Sequence, residues 1–120
     1  MSPRKKRILV ADDDPDILDM LTLCLEESGY EVETTTDGAR LRMLPQDFPD
    51  LLLLDIWMSG CNGRDLCLHL KSQEATRHLP ILLVSANKET AAIAREAGAD
   101  DFVTKPFDLD DLIETIERYV

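Results

Sequence analysis

The sequence predicts an α/β fold, a doubly wound (βα)5 sandwich in which a five-stranded parallel sheet has helices on both faces. Short apolar runs of strand length alternate along the chain with segments whose apolar residues recur at helical spacing. The clearest runs are apolar at every position, which is typical of parallel strands that are buried on both faces. Right-handed crossover connections then place the helices on the two sides of the sheet. The 120 residues correspond to one domain.

Five strands are predicted, three of them from continuous apolar runs and two from weaker signals. The continuous runs are Ile8–Ala11, Leu51–Leu54 and Ile81–Val84. The weaker candidates are Glu31–Thr35, which is rich in β-branched residues, and Asp101–Thr104. Because a helical segment separates each strand from the next, the strands are expected to run parallel.

Five helical segments separate and follow these strands. Asp14 is the predicted N-cap of the first helix, with Pro15 at its first position and Gly29 after its last turn. Asp108 is the predicted N-cap of the last helix, whose apolar residues recur at helical spacing up to Val120. The other three helices are predicted from Asp37 to Leu44, before Pro45, from Arg64 to Gln73, and from Ala91 to Ala97, before Gly98.

The composition is acidic, with 24 Asp and Glu residues against 13 Lys and Arg residues and a formal net charge of −11. A body of this charge repels nucleic acid, so direct nucleic-acid binding is not expected. The basic run Arg4–Arg7 is interpreted as belonging mainly to a flexible, solvated leader over residues 1–6. The apolar runs are much shorter than a membrane span, and no signal-peptide pattern precedes the first strand. Together these features predict a cytoplasmic location without membrane insertion.

The three cysteines indicate a reducing compartment, because their number is odd and no CxxC spacing occurs. Cys24 and Cys67 lie in helical segments and are predicted to be core residues. Cys61 lies in a glycine-rich stretch, where the sequence leaves its exposure open.

Polar side chains follow the predicted strands at the points where the strands end. Asp12 and Asp13 follow the first strand, Asp55 ends the third, Ser85 ends the fourth and Lys105 follows the fifth. Doubly wound sheets bind ligands at the carboxyl ends of their strands, near the point where the strand order reverses. We therefore expect these five side chains to meet at one edge of the sheet.

The convergence of these residue types predicts phosphoryl transfer to an aspartate. Three neighbouring carboxylates repel one another unless a cation joins them, and Mg²⁺ suits a site with few carboxylates and a phosphate ligand. A lysine and a hydroxyl can neutralise and hold the oxygens of a phosphoryl group. A carboxylate nucleophile such as Asp55 can receive that group as an aspartyl phosphate.

Five motifs in a regular arrangement point to a known family. The motifs are Ile8–Asp14 (ILVADDD), Leu52–Met58 (LLLDIWM), Val84–Ala86 (VSA), Gly98–Phe102 (GADDF) and Lys105–Phe107 (KPF). Together they resemble the receiver domain of two-component response regulators. The resemblance extends over Arg7–Val120, which is nearly the whole chain.

The resemblance implies a flavodoxin-like sheet with strand order 2-1-3-4-5 and a role in phosphorelay signal transduction. Asp55 would accept a phosphoryl group from a sensor histidine kinase or a phosphotransfer protein. Asp13, Asp55 and the backbone carbonyl of Trp57 would hold Mg²⁺, and Asp12 would act mainly through a metal-bound water.

The resemblance also implies how phosphorylation would be sensed. Ser85 and Lys105 would bind the phosphoryl group, and the rotamer of Phe102 would follow Ser85. Trp57 and Asn87 would flank the mouth of the site and tune the access of water. The responding face would consist of the fourth helix, the fifth strand and the fifth helix. This face would control a partner or an output domain, or would form a dimer.

Two loop positions depart from the family pattern, and one peptide bond is expected to follow it. Met58-Ser59 stands where Met-Pro is usual, and Asn62-Gly63 stands where Asp-Gly is common. These departures concern the rigidity of the loop more than the chemistry of the site. By the same resemblance, the Lys105–Pro106 peptide bond is expected to be cis, which would aim the lysine inward.

Two other functions fit parts of the pattern. An aspartyl-nucleophile phosphatase needs a second aspartate two residues after the nucleophile, and Trp57 occupies that position. We therefore expect no enzymatic activity beyond the chain's own phosphoryl uptake and hydrolysis. The second function is that of a degenerate receiver, which would bind partners without being phosphorylated. The intact Asp13, Asp55, Ser85 and Lys105 argue against this alternative.

The output of the domain lies beyond what the sequence predicts. Because the last predicted helix ends at Val120, no output domain is expected within these residues. Three arrangements stay open, namely a free-standing receiver, a receiver from a longer regulator and a receiver from a hybrid kinase. The cognate kinase, the downstream partner and the oligomeric state stay open as well.

Overall fold

A five-stranded parallel sheet forms the centre of the fold. The computed structural model describes residues 5–43, 48–58, 61–86 and 89–120 of the chain. The strands are β1 Arg7–Ala11, β2 Glu31–Thr35, β3 Leu51–Asp55, β4 Ile81–Ser85 and β5 Asp101–Thr104. Their order is β2-β1-β3-β4-β5, and every neighbouring pair is parallel. The predicted strand order and the predicted direction of the strands are both confirmed.

Four α-helices cover the sheet in the described residues. They are α1 Pro15–Glu27, α2 Gly63–Ser72, α3 Thr90–Ala97 and α4 Leu109–Glu117. Three of their ends follow the predicted signals. The Asp14 carboxylate accepts a hydrogen bond from the backbone N–H of Asp16, and the Asp108 carboxylate accepts one from Asp110. Gly98 ends α3 with a φ of 76°, which only glycine adopts readily.

The helix predicted from Asp37 to Leu44 is present in the described part of that segment, but it is not an α-helix. A 3-10 helix runs over Gly38–Met43, and residues 44–47, which include Leu44 and Pro45, lie outside the described residues. The backbone N–H of Asp37 donates to the hydroxyl of Thr35 at 3.1 Å. This side-chain turn competes with a regular helix start. The six residues that follow form a 3-10 helix that is longer than is usual for this type.

The apolar core has two layers, one on each side of the sheet. Leu52 and Leu54 of β3 pack in the layer under α2 and α3, whereas Leu51 and Leu53 pack in the layer under α1 and α4. This alternation follows from the two-residue period of a strand. Each fully buried leucine contributes about 1.5–3 kcal/mol to folding. Because β3 is covered on both faces, Asp55 at its end is held on a rigid support.

Two further sequence predictions can be compared with the fold. Cys67 is fully buried, and Cys24 is partly buried, so the prediction of two core cysteines is confirmed for Cys67 and only in part for Cys24. The side chain of Cys61 lies outside the described residues. None of the helices that the structure describes is both long enough and apolar enough to span a bilayer.

Candidate functional site

Three carboxylates meet at the carboxyl edge of the sheet. Oxygens of Asp12, Asp13 and Asp55 lie within 4.8 Å of one another. The arrangement follows from the register of the sheet, in which Ala11 of β1 pairs with Leu54 of β3 and the next residue of each strand is an aspartate. Asp12 and Asp55 are buried, whereas Asp13 is exposed to solvent.

The two buried carboxylates are oriented by backbone donors and by one lysine. Asp12 Oδ1 accepts the N–H of Asp14 at 3.0 Å, and Asp55 Oδ1 accepts the N–H of Trp57 at 3.1 Å. The other oxygen of each carboxylate binds Lys105, whose Nζ lies 2.8 Å from Asp12 Oδ2 and 3.4 Å from Asp55 Oδ2. Each carboxylate therefore has one oxygen held by its own loop and one oxygen paired with the lysine.

Burial and neighbouring charges shift the pKa values of Asp55 and Lys105. Burial raises the pKa of Asp55, and the negative charge of Asp12 adds to the rise, while the Trp57 N–H and Lys105 counteract it. Burial lowers the pKa of Lys105, but its hydrogen bond to Asp12 and the charges of Asp55 and Asp12 outweigh burial and raise it. Lys105 is thus a cation, and its one charge is paired with the carboxylates of Asp12 and Asp55.

The donor set fits a hard divalent cation. Asp12, Asp13 and Asp55 present carboxylate oxygens, which are the ligands that Mg²⁺ prefers in proteins. With Lys105 counted, the four side chains carry a formal charge of −2, which a divalent cation balances. The residues predicted to hold Mg²⁺ through side chains are therefore brought together. The roles of the Trp57 carbonyl and of a water on Asp12 stay predictions.

Ser85 and Phe102 occupy the strands next to the carboxylates. Ser85 is buried at the end of β4, and its backbone carbonyl accepts the N–H of Lys105 at 2.9 Å. Phe102 points outward from β5, with 39% of its surface exposed. The Lys105–Pro106 peptide bond is cis, as the family resemblance implies. Ser85 therefore lies beside the lysine, and the response of Phe102 to phosphorylation stays a prediction.

The two residues expected at the mouth of the site differ in what the structure describes. Trp57 is 55% exposed two residues after Asp55. Its backbone pairs with that of Asn62 in a short antiparallel ribbon formed by Trp57–Met58 and Cys61–Asn62. Asn87 lies outside the described residues, so its predicted role stays untested.

Sequence reasoning missed the close support of Asp55 by the start of α2. Gly63 is buried, and its N–H donates to the carbonyl of Ile56 at 2.7 Å. The signal in the sequence is the Asn62-Gly63 pair, which stands where Asp-Gly is common in the family and forms a turn. The fold adds that this turn brings α2 against the backbone that follows Asp55.

Comparisons with known proteins agree with this geometry. Residues 8–117 match the response regulator receiver domain family. The phosphate regulon transcriptional regulatory protein PhoB of Escherichia coli is 36% identical over 115 residues, covering 93% of this chain and 50% of PhoB. The DNA-binding regulator RpaA of Synechocystis is 34% identical over 113 residues, covering 92% of this chain and 47% of RpaA. The chain spans about half the length of these curated relatives.

Solved structures show the same fold. The chemotaxis response regulator CheY4 of Vibrio cholerae has a TM-score of 0.87 at 27% identity, with 98% of this chain and 100% of CheY4 covered. The response regulator TrrA of Thermotoga maritima, solved in complex with Mg²⁺ and BeF, has a TM-score of 0.85 at 30% identity. That likeness covers 96% of this chain and 99% of TrrA. The chain belongs to the receiver-domain family of two-component response regulators.

Proposed function

We propose that the chain receives a phosphoryl group on Asp55 in a Mg²⁺-dependent reaction, from a sensor histidine kinase or a phosphotransfer protein. The observation that carries the proposal is the convergence of Asp12, Asp13 and Asp55 with Lys105 at one edge of the sheet. TrrA, a relative by fold and sequence, was solved in complex with Mg²⁺ and BeF, which supports the same chemistry here.

Each side chain has a distinct task in this proposal. Asp13 and Asp55, with Asp12 and the Trp57 carbonyl, would hold Mg²⁺, which when bound would neutralise charge on the incoming phosphoryl oxygens. A carboxylate oxygen of Asp55 attacks phosphorus, and the P–N bond to the imidazole of the donor breaks with its electron pair on nitrogen. Lys105, which now binds Asp12 and Asp55, donates to a phosphoryl oxygen, and the Ser85 hydroxyl donates to another.

The test is phosphorylation by a small-molecule donor. Wild type incubated with acetyl phosphate and Mg²⁺ is expected to gain one phosphoryl group by intact-mass spectrometry, and to gain none when EDTA replaces Mg²⁺. Asp55→Asn should stay unmodified, while the matched variant Asp19→Asn, at an exposed position of α1, should behave as wild type. An adduct that persists in Asp55→Asn would overturn the assignment. A wild type that is never modified would favour the phosphorylation-independent binding module.

We further propose that phosphorylation acts on a switch face formed by α3, β5 and α4, which would contact an output domain, a partner or a second copy. A dianion held by Ser85 and Lys105 would draw the serine hydroxyl inward and leave space for Phe102. The buried side chains of α3 include the small Ala94 and Ala97, so few side-chain contacts would have to break when this helix shifts. Amide chemical shifts with and without beryllofluoride test this, and changes confined to the ligand's neighbours would contradict a switch.

We also infer that the chain catalyses only its own phosphoryl uptake and hydrolysis. The position two residues after Asp55 is occupied by Trp57, which cannot serve as the general acid of an aspartyl-nucleophile phosphatase. Phosphorylated peptides and small phosphate esters should therefore show no turnover beyond the amount of protein present.

A further inference from the structure

The start of α2 lies unusually close to the backbone of the phosphoacceptor. A Cβ atom at Gly63 would lie 2.6 Å from Ile56 Cα and 2.9 Å from the carbonyl oxygen of Asp55. Gly63 does not adopt a positive φ, so space and not backbone conformation requires glycine here. The nearest atoms belong to the backbone, which cannot turn away as the end of a flexible side chain can.

The backbone on the other side of this contact has little freedom to retreat. The side chain of Ile56 is fully buried in the core, and its N–H donates to the carbonyl of Val84 at 3.0 Å. The Gly63 N–H binds the Ile56 carbonyl at 2.7 Å, which joins the two segments directly. The peptide groups on both sides of Ile56 are therefore held between β4 and the first turn of α2.

We propose that Gly63 is a positioning residue for the Asp55 carboxylate. The inference rests on the proposed function, and it adds a residue that touches neither phosphoryl group nor metal. The Trp57 N–H, which orients Asp55 Oδ1, belongs to the same peptide group as the Ile56 carbonyl that Gly63 binds. Close contact with Gly63 therefore holds the Trp57 N–H in place. This N–H in turn orients the Asp55 carboxylate, which faces Lys105.

Gly63→Ala is the substitution that tests this role. To reach an ordinary van der Waals distance, the added Cβ and the Ile56 backbone must separate by roughly 1 Å. A displacement of that size at a reacting group lowers rates on the order of tenfold to a hundredfold. We expect the rate of phosphoryl uptake from acetyl phosphate to fall by that factor in Gly63→Ala, measured at saturating Mg²⁺.

A second readout is independent of phosphorylation and of Mg²⁺. If the hydrogen bond from Trp57 to Asp55 is disturbed, the Trp57 amide proton should shift upfield in the metal-free protein. Gly98→Ala is the matched control. A Cβ atom at Gly98 would meet only Lys71 Cγ, at 3.9 Å, so it would not displace the backbone near Asp55. Because Gly98 has a positive φ, the substitution is nevertheless destabilising. Gly98→Ala should lower the melting temperature without changing the Trp57 amide or the uptake rate.

The outcomes separate this inference from the proposed function. If wild type itself takes up no phosphoryl group, the proposed function fails. If wild type is phosphorylated and Gly63→Ala matches it in both uptake rate and Trp57 amide shift, only the role of Gly63 is overturned. If Gly63→Ala does not fold even in the cold with sucrose present, the role is overturned too, because the contact then holds the fold and not the carboxylate.

Discussion

The ammonium group of Lys105 binds two carboxylates that lie at the ends of different strands. Its Nζ binds Asp12 at 2.8 Å and Asp55 at 3.4 Å, although the two carboxylates come from different strands. A partly buried cation that serves two buried anions offsets their desolvation more fully than an exposed ion pair would. The side chain is therefore part of the resting structure of the site as well as a candidate ligand for phosphate.

The thiol of Cys67 offers a test of how firmly α2 is packed. Burial raises the pKa of Cys67 to about 11, with the charges of Lys71 and Asp100 acting in opposite directions. Alkylation needs the thiolate, and near pH 8 only about one thiol in a thousand would be ionised. We expect iodoacetamide to label the partly buried Cys24 in the folded protein, and Cys67 only after unfolding or as the pH approaches its pKa.

Peptide mass spectrometry after timed alkylation measures this protection. A urea-unfolded sample is the control, because both cysteines should then react at similar rates. Labelling of Cys67 as fast as Cys24 in the folded protein near neutral pH would show that α2 opens readily.

Trp57 is predicted to set the lifetime of the phosphorylated form. Hydrolysis of an aspartyl phosphate requires a water in line with the P–O bond, so a large side chain at the mouth of the site limits access. With an exposed indole two residues after Asp55, we expect faster loss of the label in Trp57→Asn than in wild type. The control is Leu23→Asn, which replaces an exposed apolar side chain on α1 with the same polar residue away from the site. Unchanged or slower decay in Trp57→Asn would show that the indole does not shield the site.

At the scale of elements, the strands were predicted more accurately than the helices. The three apolar strands each extend one residue beyond the predicted bounds, and β2 and β5 match their predictions. A strand that is buried on both faces appears in the sequence as a short continuous apolar run between polar residues, which marks its place closely. The helix predicted after β2 is a 3-10 helix and not an α-helix. Its start depends on the hydroxyl of Thr35 binding the N–H of Asp37, a local competition that apolar spacing does not reveal.

Lys71 connects three elements at the amino edge of the sheet, opposite the carboxylate site. Its Nζ donates to Asp100 Oδ2 at 2.7 Å, to the Leu79 carbonyl at 2.8 Å and to the Arg77 carbonyl at 3.3 Å. Asp100 Oδ2 also accepts the N–H of Ile81 at the start of β4. The group joins the end of α2 to the loops that lead into β4 and β5. No sequence motif indicates this group of contacts, since Lys71 and Asp100 are 29 residues apart.

Removal of this lysine is expected to lower stability without affecting the carboxylate site. Lys71→Met removes one donor from the Asp100 carboxylate and one from each of two backbone carbonyls, which should cost about 2 kcal/mol in the free energy of unfolding. Urea unfolding measures the loss, and Lys6→Met, at an exposed position, is the matched control. The Mg²⁺ affinity of both variants should equal that of wild type. A loss no larger than that of Lys6→Met would show that the Lys71 contacts contribute little.

For the whole molecule, the topology explains why the site could be predicted and its contacts could not. Once the strand order was known, residues at the strand ends had to meet, which placed Asp12, Asp55, Ser85 and Lys105 together. The pairing of Lys105 with both carboxylates depends on side-chain distances that no motif encodes. The approach of Gly63 to Ile56 likewise depends on how the ribbon before α2 folds back.

The acidic cluster is expected to make stability depend on Mg²⁺. The carboxylates of Asp12, Asp13 and Asp55 repel one another in a chain of net charge −11, and this repulsion opposes folding. A bound cation would remove the repulsion. Mg²⁺ at a hundredfold excess over its Kd should add about 2.7 kcal/mol to the free energy of unfolding. Asp55→Asn should melt at a higher temperature than wild type in EDTA and gain little from Mg²⁺.

Thermal unfolding with EDTA, with MgCl2, and with NaCl at matched ionic strength separates binding from screening. The NaCl sample should show only a small change. Equal melting temperatures of wild type in MgCl2 and NaCl would exclude a specific cation site.

The apolar sequence of the central strand, β3, also matters before the chain is folded. From Leu51 to Met58 every residue except Asp55 is apolar, and Asp50 precedes the segment. A stretch of this kind tends to stack against identical stretches of other chains, and an embedded charge opposes that association by mutual repulsion. Asp55 is therefore expected to limit aggregation while the segment is still uncovered. Light scattering during refolding from urea should be stronger for Asp55→Asn than for Asp19→Asn, and equal scattering would contradict this protective role.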